Sequence, residues 1–139
     1  MDISNIKKLM PNKFNSIIMF GNNFGLMKNK TNAKKLLKQF FSMTYDDAVI
    51  VAEDRDPYIT NNQIHFAYLD RNRQLGRMPG QIRIRARFMQ YTSKWFDYLY
   101  VSKDEMTNLI SGTGWEIKTF IDSKNYKENG QYIAIMVKK

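Results

Sequence analysis

The chain has 139 residues with 43% hydrophobic and 14% aromatic side chains, enough for one folded core and too apolar for a disordered tail. It has no cysteine, one histidine and a net charge of +9, which excludes disulfides, thiolate metal sites and a cysteine nucleophile; no metal site is expected. No apolar run approaches the roughly 20 residues of a membrane span, so no membrane partner is expected and the cytoplasm is the expected compartment.

The positive charge is uneven. Residues 1–45 carry eight Lys against one Asp, while residues 46–139 carry fourteen cations against twelve acids. A basic first third attracts nucleic acid or an acidic partner, but Lys34, Lys35 and Lys38 fall on the polar side of a predicted helix, where charge usually only faces water.

In chain order, Ile6, Leu9 and Met10 predict a short helix over 3–13. Ile17-Ile18-Met19-Phe20 then runs apolar on both faces, which predicts a strand over 15–20 covered on both sides, as in a parallel sheet between helices. It stops at Gly21-Asn22-Asn23, a loop with a permissive backbone and two uncharged amides. Next, Thr31 can cap a helix whose stripe is Ala33, Leu36, Leu37, Phe40 and Phe41.

Tyr45-Asp46-Asp47 reads as a turn, and Ala48 to Ala52 as a second parallel strand, over 48–53. Strand, helix and strand in this order make a right-handed crossover that aligns Gly21 with Glu53-Asp54. Thr60 or Asn61 starts a helix with Ile64, His65, Tyr68 and Leu75 on one side. Alternating Ile82, Ile84, Ala86 and Phe88 with Arg83, Arg85 and Arg87 predicts one arm of a hairpin over 81–101, turning at Thr92-Ser93. Its arginine row beside Trp95, Tyr98 and Tyr100 either stacks on nucleic-acid bases, binds an anion, or is a solvated face.

Ser102-Lys103-Asp104-Glu105 is a capping box, with Met106, Leu109 and Ile110 inward and Gly112 closing the helix. Two strands end the chain. Trp115, Ile117, Thr119 and Ile121 alternate with polar residues, which suits a sheet edge, while Tyr132 to Val137 is apolar throughout, which suits its inside. The predicted sheet order is therefore 15–20, 48–53, 131–138, 115–122.

The run KFNSIIMFGNNFGLM resembles the fourth strand and following loop of class I S-adenosylmethionine-dependent methyltransferases, especially the small-molecule kind, whose loop reads roughly hhGNSFxxL. The helix, AVIVAED strand, insertion, helix ending in GTGW and final strand pair follow in that family's order. The resemblance implies an α/β, partial Rossmann-like methyltransferase fold in one domain over 1–139, with 55–101 as a substrate-side insertion.

It also implies that Asp2 and Ile3, ending the family's third strand, lie with Phe20 and Gly21 beside S-adenosylmethionine. On the same footing, Asn22 and Asn23 are the expected catalytic residues, and Asp54, Tyr58, His65 and Tyr68 the expected contacts to a small-molecule methyl acceptor. No residue here matches the family's glycine-rich loop or the acid ending its second strand. The expectation is a truncated or split form that binds cofactor only with a complementing half. The strand 16–20 is then an open edge that recruits that half or a second copy. The alternatives are a catalytically silent interaction module and a basic nucleic-acid binder.

Overall fold

The computed structural model describes residues 13–139. The predicted helix over 3–13, together with Asp2 and Ile3, lies outside them, apart from Lys13.

Four strands form one mixed sheet in the order β1 (Phe14–Met19), β2 (Thr44–Arg55), β8 (Gln131–Lys138), β7 (Trp115–Asp122). β1 runs parallel to β2, and β8 is antiparallel to both β2 and β7. This is the predicted order, and the uninterrupted apolar run of β8 does lie between two neighbours. Among the described residues, β1 pairs with β2 alone, which leaves its other edge open.

One face of the sheet builds the core. Met19, Ala48, Ile50, Ala52, Tyr132, Ala134, Met136 and Trp115 are buried there against α1 (Lys30–Ser42), α3 (Lys103–Ile110), and Leu99 and Val101. α1 presents Ala33, Leu36, Leu37 and Phe40, the spacing of a single stripe. The Trp115 indole donates to the Leu37 carbonyl at 2.9 Å, and Lys138 donates to the carbonyls of Phe41 and Thr44, both at 2.9 Å. These bonds fasten α1 to β7 and to the end of β8.

The opposite face departs from expectation. Ile18 is 62% and Ile121 50% exposed, and Val49, Val51, Ile133, Ile135 and Val137 are only half-buried. Instead of being covered on both sides, β1 is sealed on its Met19 side and open on its Ile18 side.

Several local boundaries move for identifiable reasons. Asn29, not Thr31, caps α1, its side chain accepting from the Asn32 amide at 2.9 Å. Phe41 is 38% exposed, resting edge-on against Trp115 at 6.1 Å. Tyr45 to Asp47 belong to β2, yet the register jumps from Phe14↔Thr44 to Ser16↔Val49, so they bulge out of the ladder. A second irregularity between Ile117 and Thr119 reverses the phase of β7. Phe120 therefore packs on Tyr132 at 5.6 Å, while Ile121 faces out.

The insertion holds α2 (Gln63–Gln74), capped by Asn62 rather than Thr60 or Asn61. Its buried residues are Leu69 and Asn72, whereas Ile64 and Leu75 are 74% and 56% exposed. The Asn72 amide replaces apolar packing there, donating to the carbonyls of Pro79 and Gln81 at 2.8 and 2.7 Å. The hairpin comprises β3 (Gln81–Ile84) paired with β6 (Phe96–Leu99), and β4 (Arg87–Phe88) paired with β5 (Tyr91–Thr92). Its turn is Met89-Gln90, with Met89 at a φ of 50°, rather than Thr92-Ser93. The capping box of α3 is complete, with Ser102 and Glu105 each bonding the other's amide. A short helix, α4 (Tyr126–Asn129), joins β7 to β8.

Candidate functional site

The parallel pair β1 and β2 brings its carboxyl ends together at Gly21 and Glu53, where an open α/β sheet places ligands. Gly21 has a φ of 68° and its amide donates to the Glu53 carboxylate at 2.7 Å. Asn22 follows in the left-handed region, φ 58°, which asparagine tolerates better than most side chains. The chain then enters a single 3-10 turn, Asn23–Met27, whose Phe24 and Met27 are fully buried.

The far side of this loop is fastened by Tyr98 from β6. Its hydroxyl donates to the Asn22 carbonyl in a short hydrogen bond, and its ring lies on Gly25. Burial, with help from neighbouring Tyr100, Asp54 and Glu53, pushes the Tyr98 phenol up to about 12, so it stays a donor at neutral pH. Among the described residues the Asn22 side-chain oxygen is buried without a partner, an acceptor left for a donor from outside them. Asn23 and Phe20 are exposed at the same end, Phe20 by 51%.

Beside the loop lies a cleft of about 300 Å³, walled by the end of β2, the segment to Thr60, α2 and the base of the hairpin. Ile59, Ile64, Leu69, Ile82 and Ile84 make it apolar. His65 and Tyr68, expected at the substrate, both line it, and the His65 Nδ1 pairs with the Thr60 hydroxyl at 2.7 Å. Tyr100 lines it too and packs edge-on against Tyr98 at 5.3 Å, which links the cleft to the Asn22 loop through two rings.

Asp54 and Tyr58 are placed elsewhere. Asp54 is completely buried, one oxygen accepting from the Arg55 amide at 2.7 Å. Burial raises its carboxyl well above the usual range, and the nearby charges of Glu105 and Asp56 act in the same direction. Tyr58 donates to Glu105 at 2.5 Å beneath the Arg73 guanidinium; burial and that carboxylate push it up to about 12.

Neither Glu53 nor Tyr98 stood out in the sequence as a loop fastener. Their contacts to Gly21 and Asn22 span 32 and 76 residues, beyond any local pattern. On the hairpin, Arg83, Arg85 and Arg87 are exposed, and Arg85 sits over the Trp95 ring at 4.9 Å. Tyr98, however, is 8% exposed and offers no stacking surface.

This arrangement has the fold of S-adenosylmethionine-dependent methyltransferases. The chain is similar to one from Bacteroides fragilis, solved in complex with S-adenosyl-L-homocysteine, at 17% identity and a TM-score of 0.69, covering 91% of this chain and 48% of that one. It is also similar to such enzymes from Clostridium acetobutylicum, at 10% identity, TM-score 0.61 and coverage of 99% and 62%, and from Methanosarcina mazei, at 12%, 0.63, and 91% and 60%. The chain thus spans about half to three-fifths of these structures, consistent with the carboxyl half of the fold. No protein-family model matches the sequence, and no curated protein matches it in sequence. Among the described residues, no helix is long and apolar enough to cross a membrane.

Proposed function

We propose that this chain is the acceptor-side half of an S-adenosylmethionine-dependent methyltransferase acting on a small molecule. The half that holds most of the cofactor then comes from outside these 139 residues, in the same polypeptide or a separate chain. The observation that carries the reading is the Gly21-Asn22-Asn23 loop, fastened by Glu53 and Tyr98 at the carboxyl ends of two parallel strands, next to an apolar cleft.

The residues present fit one side of the cofactor. Gly21 leaves open space where a Cβ would stand, Phe20 offers an exposed ring, and Asn22 offers an acceptor that has no partner among the described residues. S-adenosylmethionine supplies a methyl group already activated by its sulfonium, so the protein's task is chiefly alignment. The cleft holds the acceptor. Asn22 and Asn23 orient its amine or hydroxyl with neutral amides, and Tyr98 and Glu53 keep the loop in place. The open edge of β1 and the half-covered face around Ile18 take the complementing half, or a second copy of the chain.

Calorimetric titration with S-adenosylhomocysteine tests this. The 139-residue chain should not bind, and the same chain joined to or co-expressed with the product of the reading frame immediately upstream should bind one equivalent. Binding by the 139-residue chain alone contradicts the divided cofactor site. No binding by the joined protein contradicts the enzyme reading and favours an interaction module built on the same open edge.

A further inference from the structure

The cleft beside the loop carries two arginines against a single acid in its walls. Arg55 and Arg83 both line it, and neither forms an ion pair among the described residues. Acids in the walls and in the elements that build them form no ion pair with either arginine among the described residues. Asp56, the acid in the wall, is already engaged through both oxygens, accepting from the Tyr58 amide at 2.9 Å and the Tyr126 hydroxyl at 3.2 Å. Asp97 stands opposite Arg83 in the β3–β6 ladder without closing an ion pair. Asp70 on α2 is paired with Arg73.

Most of the remaining lining is apolar or aromatic, Ile59, Ile64, Ile82, Ile84, Tyr68 and Tyr100 among it, and its polar pair, Thr60 and His65, is bonded to itself at 2.7 Å. At about 300 Å³ it stands at the lower end of small-ligand sites, which run from about 300 to 1,000 Å³. A site of this size with an apolar body and two planar cations fits a ligand built the same way in reverse. Guanidinium groups match carboxylate and phosphate oxygens through paired N–H donors.

We infer that the cleft between α2 and the hairpin base binds a small aromatic or apolar acceptor bearing a carboxylate or phosphate group, which Arg55 and Arg83 hold at its rim. This builds on the proposed function, for it names the acceptor class of that site. Its test needs no cofactor, so its failure would leave the donor-side reading standing.

The ¹⁵N-labelled 139-residue protein is titrated with 1-naphthoate, 1-naphthyl phosphate and the neutral methyl 1-naphthoate, following amide shifts. Either anion or both should bind at least about tenfold more tightly than the ester. The shifts should centre on Ile59, His65 and Ile82, and the tighter anion identifies the group. Added salt should weaken the anions and leave the ester unchanged.

Substituting Arg55→Gln and Arg83→Gln together should bring the anions down to the ester's affinity. Both side chains are exposed, so the amide spectrum of this variant serves as the check that it folds. Lys94→Gln, an exposed cation outside the cleft on the same hairpin, should change nothing. The inference is overturned if the ester binds as tightly as both anions or if no ligand binds. It is equally overturned if the shifts centre on Phe88 to Trp95 or on Ile18 and Phe20.

Discussion

Placing a methyl group on Gly25 probes the fastening of the Asn22 loop directly. A Cβ there would lie 2.0 Å from Cε1 and 2.3 Å from Cζ of Tyr98, whereas Gly25 itself is not in the left-handed region, so the effect is steric and not backbone strain. Carbon atoms rest about 3.5–4.0 Å apart, so the ring must retreat by about 1.5–2 Å, farther than its hydrogen bond to Asn22 tolerates. Overpacking costs about 1–3 kcal/mol and the lost bond about 0.5–1.5 kcal/mol, giving about 1.5–4.5 kcal/mol for Gly25→Ala. With an unfolding entropy near 0.3 kcal/mol/K for a chain of this length, the melting temperature should fall by about 5–15 °C. Thermal and urea unfolding of Gly25→Ala, Tyr98→Ala and the double variant measure this. In the Tyr98→Ala background the same methyl should cost less than about 1 kcal/mol, because the atoms it struck are gone. A Gly25→Ala protein that melts within about 2 °C of the parent, or an equal cost in both backgrounds, would refute the reasoning.

Other outcomes follow from single residues. Burial raises the Asp54 carboxyl above its unfolded value of 3.8, so the folded state holds the proton more tightly. Stability should then fall as pH rises through the window above 3.8. Asp54→Asn should flatten that slope and raise stability at neutral pH, and urea midpoints measured from pH 4 upward would show no difference if the group were solvated. Ser102→Ala removes one half of the α3 capping box and should cost about 1 kcal/mol, or roughly 3 °C of melting temperature, by calorimetry. At the open edge, light scattering should find the chain associated with itself or its complement. Ile18→Lys with Phe20→Lys should abolish that association, and a well-behaved monomeric parent would count against the edge as a docking site.

The parts of this fold that could be read from the sequence are those where one residue's choice depends on its near neighbours. The capping box at Ser102 and the stripe from Ala33 to Phe40 work within a turn or two of helix, and the contrast between Tyr132–Val137 and the alternating strand before it gave the sheet order. Where the structure departs, a long-range contact or a register change decides. A bulge near Lys118 turns Ile121 outward, and another opposite Asn15 hides Tyr45 to Asp47 in a strand. α2 was hard to orient because a buried asparagine, not an apolar stripe, anchors it. The loop residues Gly21 and Asn22 could be found locally. Glu53 and Tyr98, which hold them, could not, because only the fold brings them near.

Under the proposed function, the segment that follows β1, Phe20 to Asn23, faces the methyl donor. Hydrogen–deuterium exchange on the complemented protein, with and without S-adenosylhomocysteine, tests it most directly. The account predicts that the cofactor product slows exchange across residues 20–26 while leaving the Met89 turn of the hairpin unchanged. Protection confined to other segments, with residues 20–26 exchanging as fast as before, would contradict it.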